Sequence, residues 1–470
     1  MAPTLAAIAN NDTASDTRRG TIRREVRDAV PRGSARIVFR SVNSGSEFQT
    51  LGAATGRASS TGLGDLSIGS IILRLPYVYR VPLCVPFWNW QTYLALLHCS
   101  FFGRTVDGPD LARLEQRLAT FFSVPLVVAC NSGRAALEVA LRATGVRSGD
   151  EVIVPTFCCA SIIPPIIAVG AEPVLADVGA DLMLTPETVE AACTARTRAV
   201  VVAHLFGNPA PIEAIEGVCR RRGLILIDDA AQALGARLNG QLLGTFGDAG
   251  IVSFGNGKVC FGVGGGILVS REAAVLERAR GIGLPRPEIV PTLKRAAAVT
   301  VWRRWRRWSL PVQAALNRRR GSSQEPAHER RAMANLDAAV ASSLMDTLDS
   351  NLAARRARVE AYRQWLGPET SFSLLPHQSG SACLTQLVSF AGAEEVALKV
   401  VRALRDAGYE AERSFRPLHL QAAYDRYARS SLPKAERAWR ALVELPCEPS
   451  VRIDDVERIA RLIRTTVAAS

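Results

Sequence analysis

The sequence predicts an α/β fold: a large domain with a mostly parallel central sheet, joined to a smaller α+β C-terminal domain. Three observations predict it. Between 126 and about 270, short β-branched runs alternate with amphipathic helical stretches, the pattern of strands covered on both faces by helices. From 385 the pattern changes to one strand-like run, TQLVSF (385–390), followed by helical segments at 394–408 and 454–466. The 470 residues are 48% hydrophobic and 21% charged, ordinary for a globular chain of about two or three structural units at roughly 100–200 residues each.

Taken in order, residues 1–66 are rich in Ala, Ser, Thr, Gly and Arg without a sustained apolar period. They read as a disordered basic segment with one short strand at 35–40, and order is expected to begin near 66–75. The large domain is expected over 67–283. Leu111, Leu114, Leu118 and Phe121 recur at helical spacing and predict a helix over 109–122. Strands are expected at 126–130, 151–155, 172–178, 199–205, 224–228, 250–254 and 265–270. The helical stretches at 134–145 and 212–223 each close on Gly. Residues 284–331 form a basic insertion rich in Trp and Arg, and 332–470 the C-terminal domain, opening with a long helical pattern from 335 through Tyr362.

Composition narrows the function classes. The net charge of +13 is carried by two stretches: +4 over 1–60 and +9 over 284–331, which together equal the whole. A neutral body with basic appendages is not the footprint of a nucleic-acid-binding fold. Ten scattered cysteines without a C-x-x-C pair read as reduced thiols, and no metal site is expected. Neither a secretory leader nor an apolar run long enough to span a bilayer is visible, so a cytoplasmic location is expected.

Ligand sites in such sheets lie beyond the carboxyl ends of the strands, which directs attention to the loops at 131–134, 155–161, 204–209 and 228–232. The turn Asn131-Ser132-Gly133-Arg134 opens a helix after a strand. Its unpaired N–H groups suit a phosphate, or it is simply a capped helix start. Asp228-Asp229-Ala-Ala-Gln232 follows the buried run LILI; an inward carboxylate there needs a cation such as a protonated heteroaromatic nitrogen. Lys258 sits in the Gly-rich stretch Ser253-Phe-Gly-Asn-Gly-Lys258, a setting for a lysine of lowered pKa able to form a Schiff base. An anion-binding turn, a carboxylate and an amine, in that order, are the three needs of pyridoxal 5′-phosphate.

The ordered set Gly133, Gly149-Asp-Glu-Val-Ile-Val-Pro155, His204-Leu-Phe-Gly207, Asp228-Asp-Ala-Ala-Gln232, Gly247-Asp248, Ser253-Phe…Lys258 and Gly264-Gly-Gly resembles the DegT/DnrJ/StrS family of sugar aminotransferases. Arg416-Pro-Leu-His419 and Leu445-Pro446 resemble its C-terminal signature, so the likeness spans roughly 75–283 and 332–467. The resemblance implies an aspartate-aminotransferase-like (PLP fold type I) fold, a homodimer, and transfer of an amino group from an amino acid such as glutamate to a nucleotide-linked ketosugar. It implies that Lys258 holds the cofactor aldehyde, Asp229 the ring nitrogen and Gln232 the ring hydroxyl side. Ser132, Gly133, Arg134 and Ser253 would hold the phosphate. His204 and His419 would lie close to the site, facing substrate or satisfied structurally.

Three positions depart from the pattern. Arg134 stands where a threonine is usual, and Cys159 where a ring-facing aromatic is usual, leaving Phe157 as the aromatic candidate. Glu329-Arg-Arg331-Ala-Met333 lacks the expected Asn, so Arg330 or Arg331 would take part of its work toward phosphate and substrate.

Two other outcomes stay open: the same cofactor acting on an aminocyclitol or amino acid, or a catalytically silent relative that binds a membrane or partner. Over 294–320, nine Lys/Arg and no acid accompany Trp302, Trp305 and Trp308. On a helix, the Trp and Arg residues separate to opposite faces. That suits an anionic membrane surface at the inner face of the membrane, a structural flap packed on the body, or a nucleic-acid contact.

Overall fold

The computed structural model describes residues 79–303, 328–390 and 394–470. The strand expected at 35–40, the onset of order at 66–75, and the Trp/Arg stretch from 304 to 327 lie outside these residues.

The expected strands form one seven-stranded sheet. They are β1 (Val127–Cys130), β2 (Glu151–Pro155), β3 (Glu172–Ala176), β4 (Thr197–Ala203), β5 (Ile225–Asp229), β8 (Ala249–Ser253) and β9 (Gly266–Val269), in the order β1-β9-β8-β5-β4-β2-β3. A short hairpin, β6 (Arg237–Leu238) with β7 (Gln241–Leu242), lies apart. Strands β2 to β5 and β8 pair in parallel, and β9 runs antiparallel to both neighbours. Strands β1, β2, β8 and β9 are buried along their whole length, as expected of strands covered on both faces. Helices α1 (Trp90–Phe101), α2 (Asp110–Phe122), α3 (Gly133–Ala143), α4 (Ile163–Ala168), α5 (Pro186–Ala192), α6 (Ile212–Arg222) and α7 (Ala273–Gly281) belong to this layer.

Reversal at β9 has a consequence for chemistry. No crossover helix separates β8 from β9; a single loop, 254–265, carries Lys258 and returns at the carboxyl ends of β8 and β1. Gly266 pairs with both Ser253 and Cys130. A Cβ on Gly266 would stand 2.4 Å from the Gly133 amide nitrogen, so only glycine lets the α3 start settle against β9.

Helix α1 was not expected from periodicity, for a physical reason. Its sequence is apolar on nearly every side, leaving Trp90, Leu94, Leu97 and Phe101 exposed at its surface. The long pattern from 335 divides at Asp346–Thr347 into α9 (Asn335–Met345) and α10 (Leu348–Leu366), after α8 (Ile289–Ala298) opens the basic insertion. Although sequence places 335–352 with the C-terminal domain, α9 packs on α1 and α2, and Leu336, Val340, Leu344, Leu348 and Leu352 join the large core. Helix α8 is held to α9 by Arg295 and the buried Asp337, 2.5 Å apart.

The C-terminal sheet is β10 (Phe372–Leu374), β11 (Thr385–Phe390) and β12 (Leu442–Pro446), all antiparallel. Helices α11 (Glu394–Asp406) and α13 (Ile453–Ala468) pack together, and Val388, Val400, Leu404, Val443 and Ile459 fill its core. Helix α12 (Pro433–Ala441) leads into β12; its first-turn N–H groups of Lys434 and Ala435 are capped by Asp177 after β3. Residues near 80 join this second core: Val81 bridges to Tyr409, and the Leu83 amide donates to Glu410.

Glu444 on β12 is half-buried, accepts from Ser414 Oγ at 2.6 Å, and neighbours Glu412 and Glu410. Burial, reinforced by these carboxylates, pushes its carboxyl from 4.5 to about 7. A carboxyl with a raised folded value stabilises while protonated. That contribution is complete below about pH 4.5 and is lost as pH rises through 7. Glu444→Gln should therefore flatten the fall in unfolding free energy between pH 5 and 8; urea titrations across that range check it.

Candidate active site

The carboxyl ends of β1, β4, β5 and β8 open on one cavity of about 200 Å³. Ser132, Gly133 and Arg134 line it from the α3 start; Asp229 and Gln232 from the end of β5; Ser253 and Lys258 from the β8–β9 loop. The three groups that the sequence nominated for phosphate, ring nitrogen and aldehyde thus face one space. His204 lines it as well, with Cys158, Cys159, Ser161 and Ile162 beyond β2.

At the phosphate end, Ser132 caps α3 by accepting the Ala135 N–H at 3.2 Å, so that the helix opens at the cavity wall. A Cβ on Gly133 would meet Ser253 Cβ at 2.9 Å, so the two walls approach as closely as they do because position 133 has no side chain. Ser253 Oγ accepts from the Gly255 amide at 3.2 Å, which turns the chain into the lysine loop.

On β5, neighbouring residues face opposite ways, and its last two carboxylates separate accordingly. Asp228 is wholly buried and fully partnered: Oδ1 meets His204 Nε2 at 2.8 Å, and Oδ2 accepts the Gly244 and Phe246 amides at 2.6 and 3.0 Å. Asp229 faces the cavity and accepts only the Ala231 amide, at 3.0 Å. Burial raises its pKa, while the Ala231 amide and the Lys258 ammonium pull it back. A half-buried carboxylate in want of a cation, opposite an amine and a helix-opening turn, fits a protonated pyridine carrying phosphate and aldehyde.

His204 Nδ1 accepts the Ala210 amide at 2.9 Å. A backbone N–H can only donate, so the ring carries its proton on Nε2, toward Asp228, and is neutral. Both nitrogens are used, and the ring serves the cavity as a wall. His419 lies outside the cavity lining. Its nitrogens meet Thr156 Oγ1 at 2.7 Å and Glu436 at 3.1 Å, fastening the C-terminal domain to the end of β2.

The Gln232 amide is oriented by the same logic. Its Oε1 accepts the Phe206 N–H at 2.9 Å, leaving its NH₂ group to donate toward the cavity.

Phe157 also stands outside the lining. It is fully buried in an aromatic cluster with Phe206 and Phe415, and Cys159 takes the cavity position instead. Arg330 pairs with Glu138 at 3.1 Å, and Arg331 with Glu288 at 2.6 Å and with Glu329. Neither lines the cavity of its own subunit. Their segment is docked on the phosphate turn, where Asn131 N donates to Arg331 O and Asn131 Nδ2 to Glu329 O. Asp228 carried the clearest missed signal, a second acid on a strand with period two.

The sequence profile of the DegT/DnrJ/EryC1/StrS aminotransferase family matches residues 95–464. GDP-perosamine synthase of Vibrio cholerae is 27% identical over 364 residues, 76% of this chain and 90% of that protein. UDP-N-acetyl-3-dehydro-alpha-D-glucosamine 3-aminotransferase of Acidithiobacillus ferrooxidans is 42% identical over 171 residues, 36% of this chain and less than half (46%) of that relative. Among solved structures, the aminotransferase TlmJ from Streptoalloteichus hindustanus superposes with a TM-score of 0.67 at 28% identity, covering 84% of this chain and 99% of that one. The aspartate-aminotransferase-like fold expected from the sequence is borne out.

The two acids of β5 should respond oppositely to removal. Asp228→Ala leaves the His204 N–H and two buried amides without an acceptor and should cost about 3–5 kcal/mol of stability, at roughly 1–3 kcal/mol for each unsatisfied donor. Asp229→Ala relieves a half-buried charge and should leave the melting temperature of the cofactor-free protein unchanged or higher, while weakening cofactor retention. Thermal melts of both variants, with and without pyridoxal phosphate, check the contrast.

Proposed function

The chain belongs to the DegT/DnrJ/EryC1/StrS aminotransferase family, a pyridoxal-phosphate-dependent family, and on that premise we propose that it moves an amino group from an amino acid, glutamate first, to a nucleotide-linked ketosugar. The names of both curated relatives support a nucleotide-sugar substrate. The observation that carries the reading is the convergence of Lys258, Asp229 and the Ser132–Arg134 turn on one cavity.

When bound, the cofactor supplies a protonated ring that accepts electron density from the substrate carbon. This chain's residues do the rest. Ser132, Gly133, Arg134 and Ser253 bind the phosphate. Asp229 holds the proton on the ring nitrogen, and the Gln232 NH₂ group donates to the ring hydroxyl side. Lys258 Nζ would hold the aldehyde, and as a free amine it would take and return the substrate proton as general base and acid. Leu137, Ile162 and Ile251 give the cavity apolar walls that limit water around that amine. A homodimer in the cytoplasm completes the reading.

Purified protein should carry a visible chromophore. Borohydride reduction followed by peptide mapping should place it on Lys258, and Lys258→Ala should lower turnover with glutamate and nucleotide ketosugars by roughly 10²–10⁴-fold. Turnover confined to an aminocyclitol or free amino acid would favour the non-sugar outcome. A colourless protein that reduction does not label would sink the enzyme reading and leave a silent relative.

The alternation of Trp and Arg over 294–320 supports a peripheral contact with anionic membrane. Among the described residues, no helix is long and apolar enough to cross a bilayer. Flotation with anionic liposomes should carry the full chain and leave a 304–327 deletion behind; equal flotation of both defeats the contact.

A further inference from the structure

Arg355 on α10 is among the largest fully buried side chains, in the junction between the two cores and away from the cavity lining. An arginine taken wholly out of water is costly unless every direction of its guanidinium is met. Here each is met, and each bond leads somewhere different. Nη2 donates to the buried Glu448 at 2.8 Å, Nη1 to the Leu384 carbonyl at 2.8 Å, and Nε to Asn351 Oδ1 at 2.7 Å.

Two of these bonds continue to the cavity. With Oδ1 occupied, Asn351 turns its NH₂ group to the Val259 carbonyl, which it meets at 3.1 Å; Val259 is the residue after Lys258. On the other side, the Leu384 amide donates to the Phe206 carbonyl at 2.9 Å, and the Phe206 amide donates to Gln232 Oε1. A continuous hydrogen-bonded path therefore runs from Gln232 through Phe206, Leu384, Arg355 and Asn351 to the Val259 carbonyl, one residue beyond Lys258.

We propose that Arg355 is a positioning residue for Lys258: acting through Asn351, it holds the lysine loop in register with Gln232, so that the two act on the same cofactor. The inference rests on the cofactor reading above, and the test separates the two.

Asn351→Asp still accepts from Arg355 but has no N–H for the Val259 carbonyl, whereas Asn351→Ala loses both contacts. Val400→Ala, in the C-terminal core, serves as a control that loses stability without touching the path. Each holoenzyme is titrated by absorbance for the protonation midpoint of the bound chromophore, and pyridoxal phosphate affinity is measured on the stripped protein. Positioning predicts a shifted midpoint and roughly tenfold weaker cofactor binding in both Asn351 variants. Val400→Ala should keep wild-type values whatever its melting temperature. Should Asn351→Ala not fold, Asn351→Asp alone decides. Asn351 variants that match Val400→Ala in midpoint and affinity overturn the positioning role, while a wild type that takes up no pyridoxal phosphate overturns the cofactor reading itself.

Discussion

A half-buried carboxylate with too few partners is the constraint on which this site depends. Asp229 is set by β5 into a cavity where burial disfavours its charge, and the protein grants it a single backbone donor. Its neighbour Asp228, one residue earlier on the same strand, receives a histidine and two amides. The strand's period of two divides the acids into one that the fold consumes and one that it reserves. A cation held within the cavity is what the reserved one lacks. Lys258 reaches toward it electrostatically, and the proposed ring nitrogen, if protonated, would answer it directly.

The same economy governs the opposite wall. Bringing the α3 start against β8 and β9 requires backbones, not side chains, at the crossing, and Gly133 and Gly266 provide them. The antiparallel return of β9 places the lysine loop at the carboxyl end of a parallel strand. Phosphate turn, carboxylate and amine thus come from distant stretches of chain without any long excursion. Arg134 adds a permanent charge at the phosphate end. Arg330 and Arg331 are instead spent on Glu138, Glu288 and Glu329, which fasten the segment following the insertion beside the turn.

Several features were legible in advance because one physical rule dominated each. Strands covered on both faces read as apolar runs, and all seven expected over 126–270 occur. Lys258, Asp229, Gln232, Ser253 and the Ser132–Arg134 turn were legible for a related reason, since a polar group after a buried run has few places to go. Helix α1 was not, because a segment apolar on every side carries no periodicity. Phe157 was misread as facing the ring because an aromatic at a strand end is equally suited to a core. It joined Phe206 and Phe415, leaving the cavity to Cys159.

The sequence by itself determined the sheet, the family and the residues at 132–134, 229, 253 and 258 that meet at one cavity, since these follow from local pattern and from motifs in fixed order. Tertiary structure alone decided which polar groups were left over. The proton on His204, the direction of the Gln232 amide, the division between Asp228 and Asp229, and the path through Arg355 each depend on a partner far away along the chain. Hydrogen-bond capacity is finite, and only the folded arrangement shows where each donor and acceptor has already been used.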